Sequence, residues 1–207
     1  MPSASCVADA NLTHLRSLLC DASRGRYGRE EAIEIRNAAR SSIGSEMSVK
    51  SIELKQTIRQ IDALTADIEK VEASIRKIMD KSSSSIMTIP GINHRMGAMI
   101  LAEIGDFNRF DNADQILAYA GMSPSTYQSG QLTSTYAHME KRGSKYLRFA
   151  LFNAAIYVSK WDERFGLYLA RKRAEGKHYY VALSHVAKKL VRTIYRMELT
   201  HSEYQAA

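Results

Sequence analysis

The stretch Leu54-Lys-Gln-Thr-Ile58-Arg-Gln-Ile61-Asp-Ala-Leu64-Thr-Ala-Asp-Ile68-Glu-Lys-Val71-Glu-Ala-Ser-Ile75-Arg-Lys-Ile78 spaces its large apolar residues by 4, 3, 3, 4, 3, 4 and 3. An α-helix returns to one face every three or four residues, so the pattern predicts a long helix with a single narrow apolar seam. No Gly or Pro interrupts residues 48–81, and Glu and Lys flank the seam. A narrow seam with no compact core beside it needs another helix. That partner is the same helix of a second chain, the favoured coiled-coil dimerisation arm, or an antiparallel helix of this chain. Thr65 and Glu72 beside the seam make the pairing imperfect.

Working outward, residues 1–46 read as a short helical N-terminal segment or linker. Leu12, Leu15, Leu18 and Leu19 predict one helix, ended by Ser23-Arg-Gly-Arg-Tyr-Gly28, and a second spans about 30–40. The arm takes 47–82, and Ser82-Ser-Ser-Ser85 reads as a hinge. A compact helical domain follows over 86–199, with helices expected at about 94–104, 112–120, 144–160, 162–174 and 178–199. An irregular or short β insert lies near 122–140, and 200–207 form a tail. The fold class is mainly α.

Composition, at 45% hydrophobic and 25% charged residues, is ordinary for a folded chain. There is no run of eighteen apolar residues and no signal-peptide pattern at Met1-Pro-Ser-Ala, so the expectation is a cytoplasmic protein without membrane contact. Cys6 and Cys20 read as reduced thiols. Charge is unevenly spread: the net is +1 over residues 1–81, −3 over 82–140 and +11 over 141–196. Positive charge gathered in one segment is the footprint of a phosphate-binding face.

Three motifs could carry chemistry. In Thr88-Ile-Pro-Gly-Ile-Asn-His-Arg95, an apolar–Pro–Gly–apolar turn leads into an apolar helix, as in a helix-hairpin-helix. Gly91 permits the bend, Asn93 replaces the usual second glycine and can adopt a left-handed conformation, and Arg95 adds charge. Such a turn binds phosphate through backbone N–H groups, or only packs two helices. Lys141, Arg142, Lys145 and Arg148 surround a predicted helix start at Gly143-Ser144, with 141, 145 and 148 on one face. Cations there oppose the helix dipole unless an anion is present. In the last helix His185, Lys189, Arg192 and Arg196 recur at 4, 3 and 4, opposite an apolar face of Leu183, Val186, Leu190 and Ile194. Several such contacts would make nucleic-acid binding strongly salt-dependent.

Between them, Ser129 sits in Tyr127-Gln-Ser-Gly130. A serine needs a base, a metal or strong transition-state stabilisation to act as a nucleophile. His138 and Glu140 are the nearest candidates, and plain turn chemistry is the alternative. Trp161, Phe165 and Tyr168 read as core rather than base-stacking residues. Glu103, Asp106, Asp111 and Asp114 read as an acidic rim, with an N-cap near Asn112 rather than a metal site.

In order and spacing, Thr88-Ile-Pro-Gly-Ile, Leu101-Ala-Glu-Ile-Gly-Asp-Phe-Asn-Arg-Phe110, Ala118-Tyr-Ala-Gly-Met-Ser-Pro124, Tyr127-Gln-Ser-Gly130 and Lys141-Arg-Gly-Ser-Lys-Tyr-Leu-Arg148 resemble the C-terminal domain of the bridge-RNA-guided insertion-sequence transposases, the insertion-sequence "one-ten" family. The resemblance implies DNA strand cleavage and joining, with Ser129 as the catalytic nucleophile. It also implies DNA and a structured guide RNA as partners, and Mg for the complete enzyme, held by an acidic quartet on an N-terminal RNase H-like domain. Residues 1–46 show no succession of strands, so that domain is expected to be absent. The chain then holds no cofactor of its own. It is expected to be a truncated or split transposase whose cleavage needs the metal domain from elsewhere. The alternatives are an idle nucleic-acid-binding and dimerisation module, and a coiled-coil assembly protein.

Overall fold

The computed structural model describes residues 3–44, 47–124, 128–129, 132–133 and 138–206. Nine helices are present among them: α1 (Ala4–Ala8), α2 (Leu12–Ala22), α3 (Arg29–Arg40), α4 (Ser48–Met79), α5 (His94–Ile104), α6 (Ala113–Tyr119), α7 (Lys145–Trp161), α8 (Glu163–Ala174) and α9 (Tyr179–Thr200). The mainly α class and the placement of every helix from α2 onward agree with the periodicity. The short α1 lacks an apolar repeat and gives no such signal.

The chain forms two compact units, residues 1–70 and 71–207, and α4 runs through the division. In the first unit α3 packs on α1 and α2, burying Leu15 and Ala32. Asn11 caps α2 by accepting the N–H groups of Thr13 and His14. The intervening turn uses left-handed Arg24 and Gly25, and Glu31 accepts the Gly28 N–H, which holds its carboxyl below the usual range.

In α4 the expected seam is present and bare. Leu54, Ile58, Ile61, Leu64, Ile68, Val71 and Ile78 are exposed, Leu64 at 62%, whereas Ile75 packs on the core of the second unit.

The second unit is built around α7, which packs against α5, α8 and α9, while α6 packs on α9. Ala150, Ala154 and Ala155 leave α7 slender there, and Leu147, Leu151 and Val158 fill the gaps with Ile100, Phe165, Leu183, Val186 and Leu190. Each fully buried Leu or Ile contributes about 1.5–3 kcal/mol. N-cap residues start the helices: Asn112, where the sequence predicts a cap, accepts from Gln115 N–H, and Asp162 accepts from Phe165 N–H.

Two expectations need correction. Trp161 is 66% exposed, because extended Asp162 (φ −122°, ψ 122°) ends α7 there and breaks the helical face it was expected to share with Phe165 and Tyr168; only Phe165 is fully buried, and Tyr168 lies partly against the core. The serine run is tied down. Ser84 Oγ donates to Glu198 at 2.5 Å and Ser85 Oγ to the Ser202 carbonyl at 2.7 Å, so the link from α4 is stitched to the end of α9.

Candidate nucleic-acid interface

The Pro90–Gly91 turn forms, but its surroundings differ from the expectation. A single 3-10 turn, Ile86–Thr88, precedes it. Gly91 has φ +93°, and a Cβ there would lie 2.8 Å from the carbonyl of Tyr157, so glycine lets this turn seat against α7. Asn93 is extended (φ −98°, ψ 170°), not left-handed; it caps α5 by accepting the Met96 N–H. Capping competes with the left-handed alternative, because the side-chain oxygen reaches the free N–H only from extended backbone. Arg95 lies 3.7 Å from Glu72.

The insert is held at its base. After α6, Gly121 turns the chain at φ +66°. Lys141 N–H donates to Gly121 O at 3.0 Å, Glu140 N–H to Ser123 O at 3.0 Å and Ser144 N–H to Tyr119 O at 2.8 Å, and Pro124 bridges Met139. Above this base the backbone of Gln128–Ser129 pairs antiparallel with Leu132–Thr133, Ser129 opposite Leu132. Residues 125–127, 130–131 and 134–137, and the Ser129 side chain, lie outside the described part. The match of Ser129 to a base is therefore outside it too.

The cationic turn departs from a helical face. Lys141 is left-handed (φ 59°), Gly143 has φ 127°, and α7 begins only at Lys145, so Lys141 does not share a helical face with Lys145 and Arg148. Ser144 caps α7, accepting from Leu147 N–H, and its hydroxyl donates to Glu103 Oε2 at 2.5 Å. A carboxylate of the chain itself thus stands near the helix start and offsets the adverse dipole. Arg148 points Nη1 inward, donating to Ala120 O at 2.9 Å and Lys141 O at 3.2 Å.

The basic residues divide between two clefts. Lys141, Lys145 and Arg148 share one with Tyr180, His185 and Lys188 of α9, beside His138 and Glu140. Burial first, then the charges of Lys172, Lys188 and Lys177, push the His185 imidazole below its ordinary value, against a smaller pull from Glu175. The second cleft holds Lys189, Arg192 and Arg196 with Arg164 and residues 202–206. The single basic stripe on α9 is therefore split. Lys189 Nζ rests 4.9 Å from the Tyr168 ring centre and 5.1 Å from that of Phe165, and burial, then Arg164, lowers its pKa. Arg192 pairs with Asp114 at 2.8 Å.

Lys188 and Arg164 escaped the sequence reading because facing elements, rather than spacing along one helix, bring them into the clefts. The Ser144–Glu103 contact joins residues 41 positions apart. Only its capping half is legible, as a serine before an apolar helix.

Among the described residues no three His, Cys, Asp or Glu side chains gather as metal ligands. No described helix is long and apolar enough to cross a membrane.

Residues 83–170 match the transposase family IS116/IS110/IS902. The IS116/IS110/IS902 match runs from before the Pro90–Gly91 turn to within α8, so it contains Ser129 and the 141–148 turn but stops short of the basic face of α9. Similar proteins include the insertion element IS110 43.6 kDa protein of Streptomyces coelicolor, 30% identical over 61% of this chain and 32% of that protein. The insertion element IS900 42 kDa protein of Mycobacterium paratuberculosis is 24% identical over 85% and 44%. A pilin gene-inverting protein of Moraxella bovis is 32% identical over 56% and 37%. The chain thus matches between about a third and under half of the length of these relatives.

Proposed function

We propose that this chain is the DNA-binding and serine-bearing part of a transposase or related DNA recombinase. The carrying observation is the family match across 83–170, which spans the Ser129 motif and its basic neighbour. Similar proteins are named as insertion-element proteins and as a gene-inverting protein, and moving or inverting DNA requires its strands to be cut and rejoined. In this reading Ser129 Oγ attacks a phosphodiester, forming a serine–phosphate ester as the displaced DNA oxygen leaves as a hydroxyl. The rest of the active site comes from outside this chain.

Phosphate contacts fall to Lys141, Arg142, Lys145, Lys188, Lys189 and Arg196. Arg148 holds the turn that carries the first three. Gly91 and Asn93 serve packing and capping, while Arg95 and Arg192, each beside a carboxylate, contribute less. The bare seam of α4 pairs with that of a second copy, since its 3–4 spacing is that of a two-stranded coiled coil. A guide RNA is a further partner by resemblance alone.

An idle binding and dimerisation module is the second reading, favoured by the two clefts that gather basic side chains among the described residues. The test separates them. Duplex affinity of the full chain is measured from 50 to 200 mM salt, and SDS-stable protein–DNA adducts are sought with the remainder of a full-length relative supplied in trans. We expect steeply salt-dependent binding that Ser129→Ala leaves unchanged, and adducts that this variant abolishes. Adducts that persist in the variant sink the nucleophile; binding indifferent to salt sinks both readings.

A further inference from the structure

The cleft between the 138–148 turn and the first half of α9 measures about 1040 Å³ and has an unusual lining. Among the described residues its rim carries Lys141, Lys145 and Lys188 against one carboxylate, Glu140. Its walls carry aromatic rings turned to water: Phe149 is 59% exposed and Tyr180 63%, with Phe152 partly buried behind them. Phe149 projects from the second turn of α7 and Tyr180 from the first turn of α9. Neither fills the core, which is completed by Leu147, Leu151 and Leu183 beneath. Tyr180 is braced by His178 and Tyr179, with ring centres at 5.9 and 5.4 Å.

Leaving two large rings in water inside a cation-rimmed hollow forgoes burial that the fold could otherwise use. A paired duplex has no use for the rings, since its base faces are covered by neighbouring pairs and it offers the cleft only backbone and groove edges. An unpaired base offers a free π-face, and its flanking phosphates need cations. Aromatic platforms combined with a positive groove are how single-stranded nucleic acid is held. His185 also lines the cleft, and its lowered pKa favours the neutral imidazole, which has one ring nitrogen to donate and one to accept at a base edge.

We propose that this cleft binds an unpaired nucleotide, stacking its base on Phe149 and Tyr180 and holding its phosphates on Lys141, Lys145 and Lys188. The assignment rests on the nucleic-acid-binding reading above and names what one of its clefts takes. It gives the protein a means to prefer distorted, nicked or opened strands over intact duplex.

The test uses the full chain and two DNA hairpins, one fully paired and one with a single unpaired 2-aminopurine, and the same pair made of RNA. Affinities come from fluorescence anisotropy, and stacking from quenching of the 2-aminopurine emission. We expect about tenfold tighter binding of the bulged hairpin, the size of one stacked base, together with quenching. The Phe149→Leu/Tyr180→Leu variant should lose both while keeping its paired-duplex affinity within about twofold. Phe149→Tyr, which keeps a ring, should keep both. The tighter of the DNA and RNA arms identifies the source of the nucleotide. Salt-sensitive duplex binding with no preference for the bulge overturns the cleft assignment alone. A preference that survives in the double variant also overturns it. Absence of binding to every hairpin overturns this assignment and the nucleic-acid reading together.

Discussion

Arg148→Gln separates a structural role from a phosphate-binding one. The Arg148 guanidinium joins the end of α6 to the cationic turn through Ala120 O and Lys141 O, at 2.9 and 3.2 Å. A hydrogen bond from a charged donor contributes about 1.5–3 kcal/mol. The bond to Ala120 O is part-buried and counts near that range; the one to Lys141 O is exposed and counts for a fraction of it. Glutamine is too short to span both carbonyls, so the loss should be about 2–3 kcal/mol. Arg148→Lys should fare nearly as badly, since one ammonium does not reproduce the fork. Urea unfolding followed by circular dichroism measures the loss, and the salt dependence of duplex binding measures phosphate contacts. Removing one such contact lowers the salt slope by about 0.9. Stability unchanged within about 0.5 kcal/mol, with a slope lower by that amount, would refute the structural assignment.

Gly143→Ala should cost about 3 kcal/mol or more. The new Cβ meets the Tyr119 carbonyl oxygen at 2.2 Å on backbone with φ +127°, so loss of a cooperative melt at the wild-type temperature is the expected readout. Asp162→Ala should cost about 2–4 kcal/mol in urea unfolding, combining the α8 cap with the charged acceptor for the Tyr204 hydroxyl at 2.7 Å. Burial, and then Asp162, raise the Tyr204 pKa to about 12. A raised folded-state pKa means its stabilisation is whole below pH 10 and lost as pH climbs toward about 12; Tyr204→Phe should flatten that decline. Leu64→Asp, placed in the exposed seam, should shift sedimentation from dimer to monomer while leaving the helical signal of the second unit intact.

The order of helices from α2 to α9 was legible because each rests on local physics. Asn112 and Ser144 announce helix starts, and the 3–4 repeats of Leu54–Ile78 and Leu183–Ile194 each define a helix face. Periodicity cannot say which apolar face is covered. Trp161 and Phe165 look alike in sequence; only the packing of α8 on α7 and α9 buries one and leaves the other bare.

For the candidate site, the sequence by itself determined which residue types are present: a serine beside glycine, a basic turn, a basic helix and a net +11 over 141–196. It could not determine where those charges point. Tertiary structure turned Arg148 inward to two carbonyls, set Glu103 beside the start of α7 and divided α9 so that Lys188 and Lys189 line different clefts. Neighbours on one helix follow from its turn of 3.6 residues. Partners 28 or 41 positions apart exist only once the helices have packed.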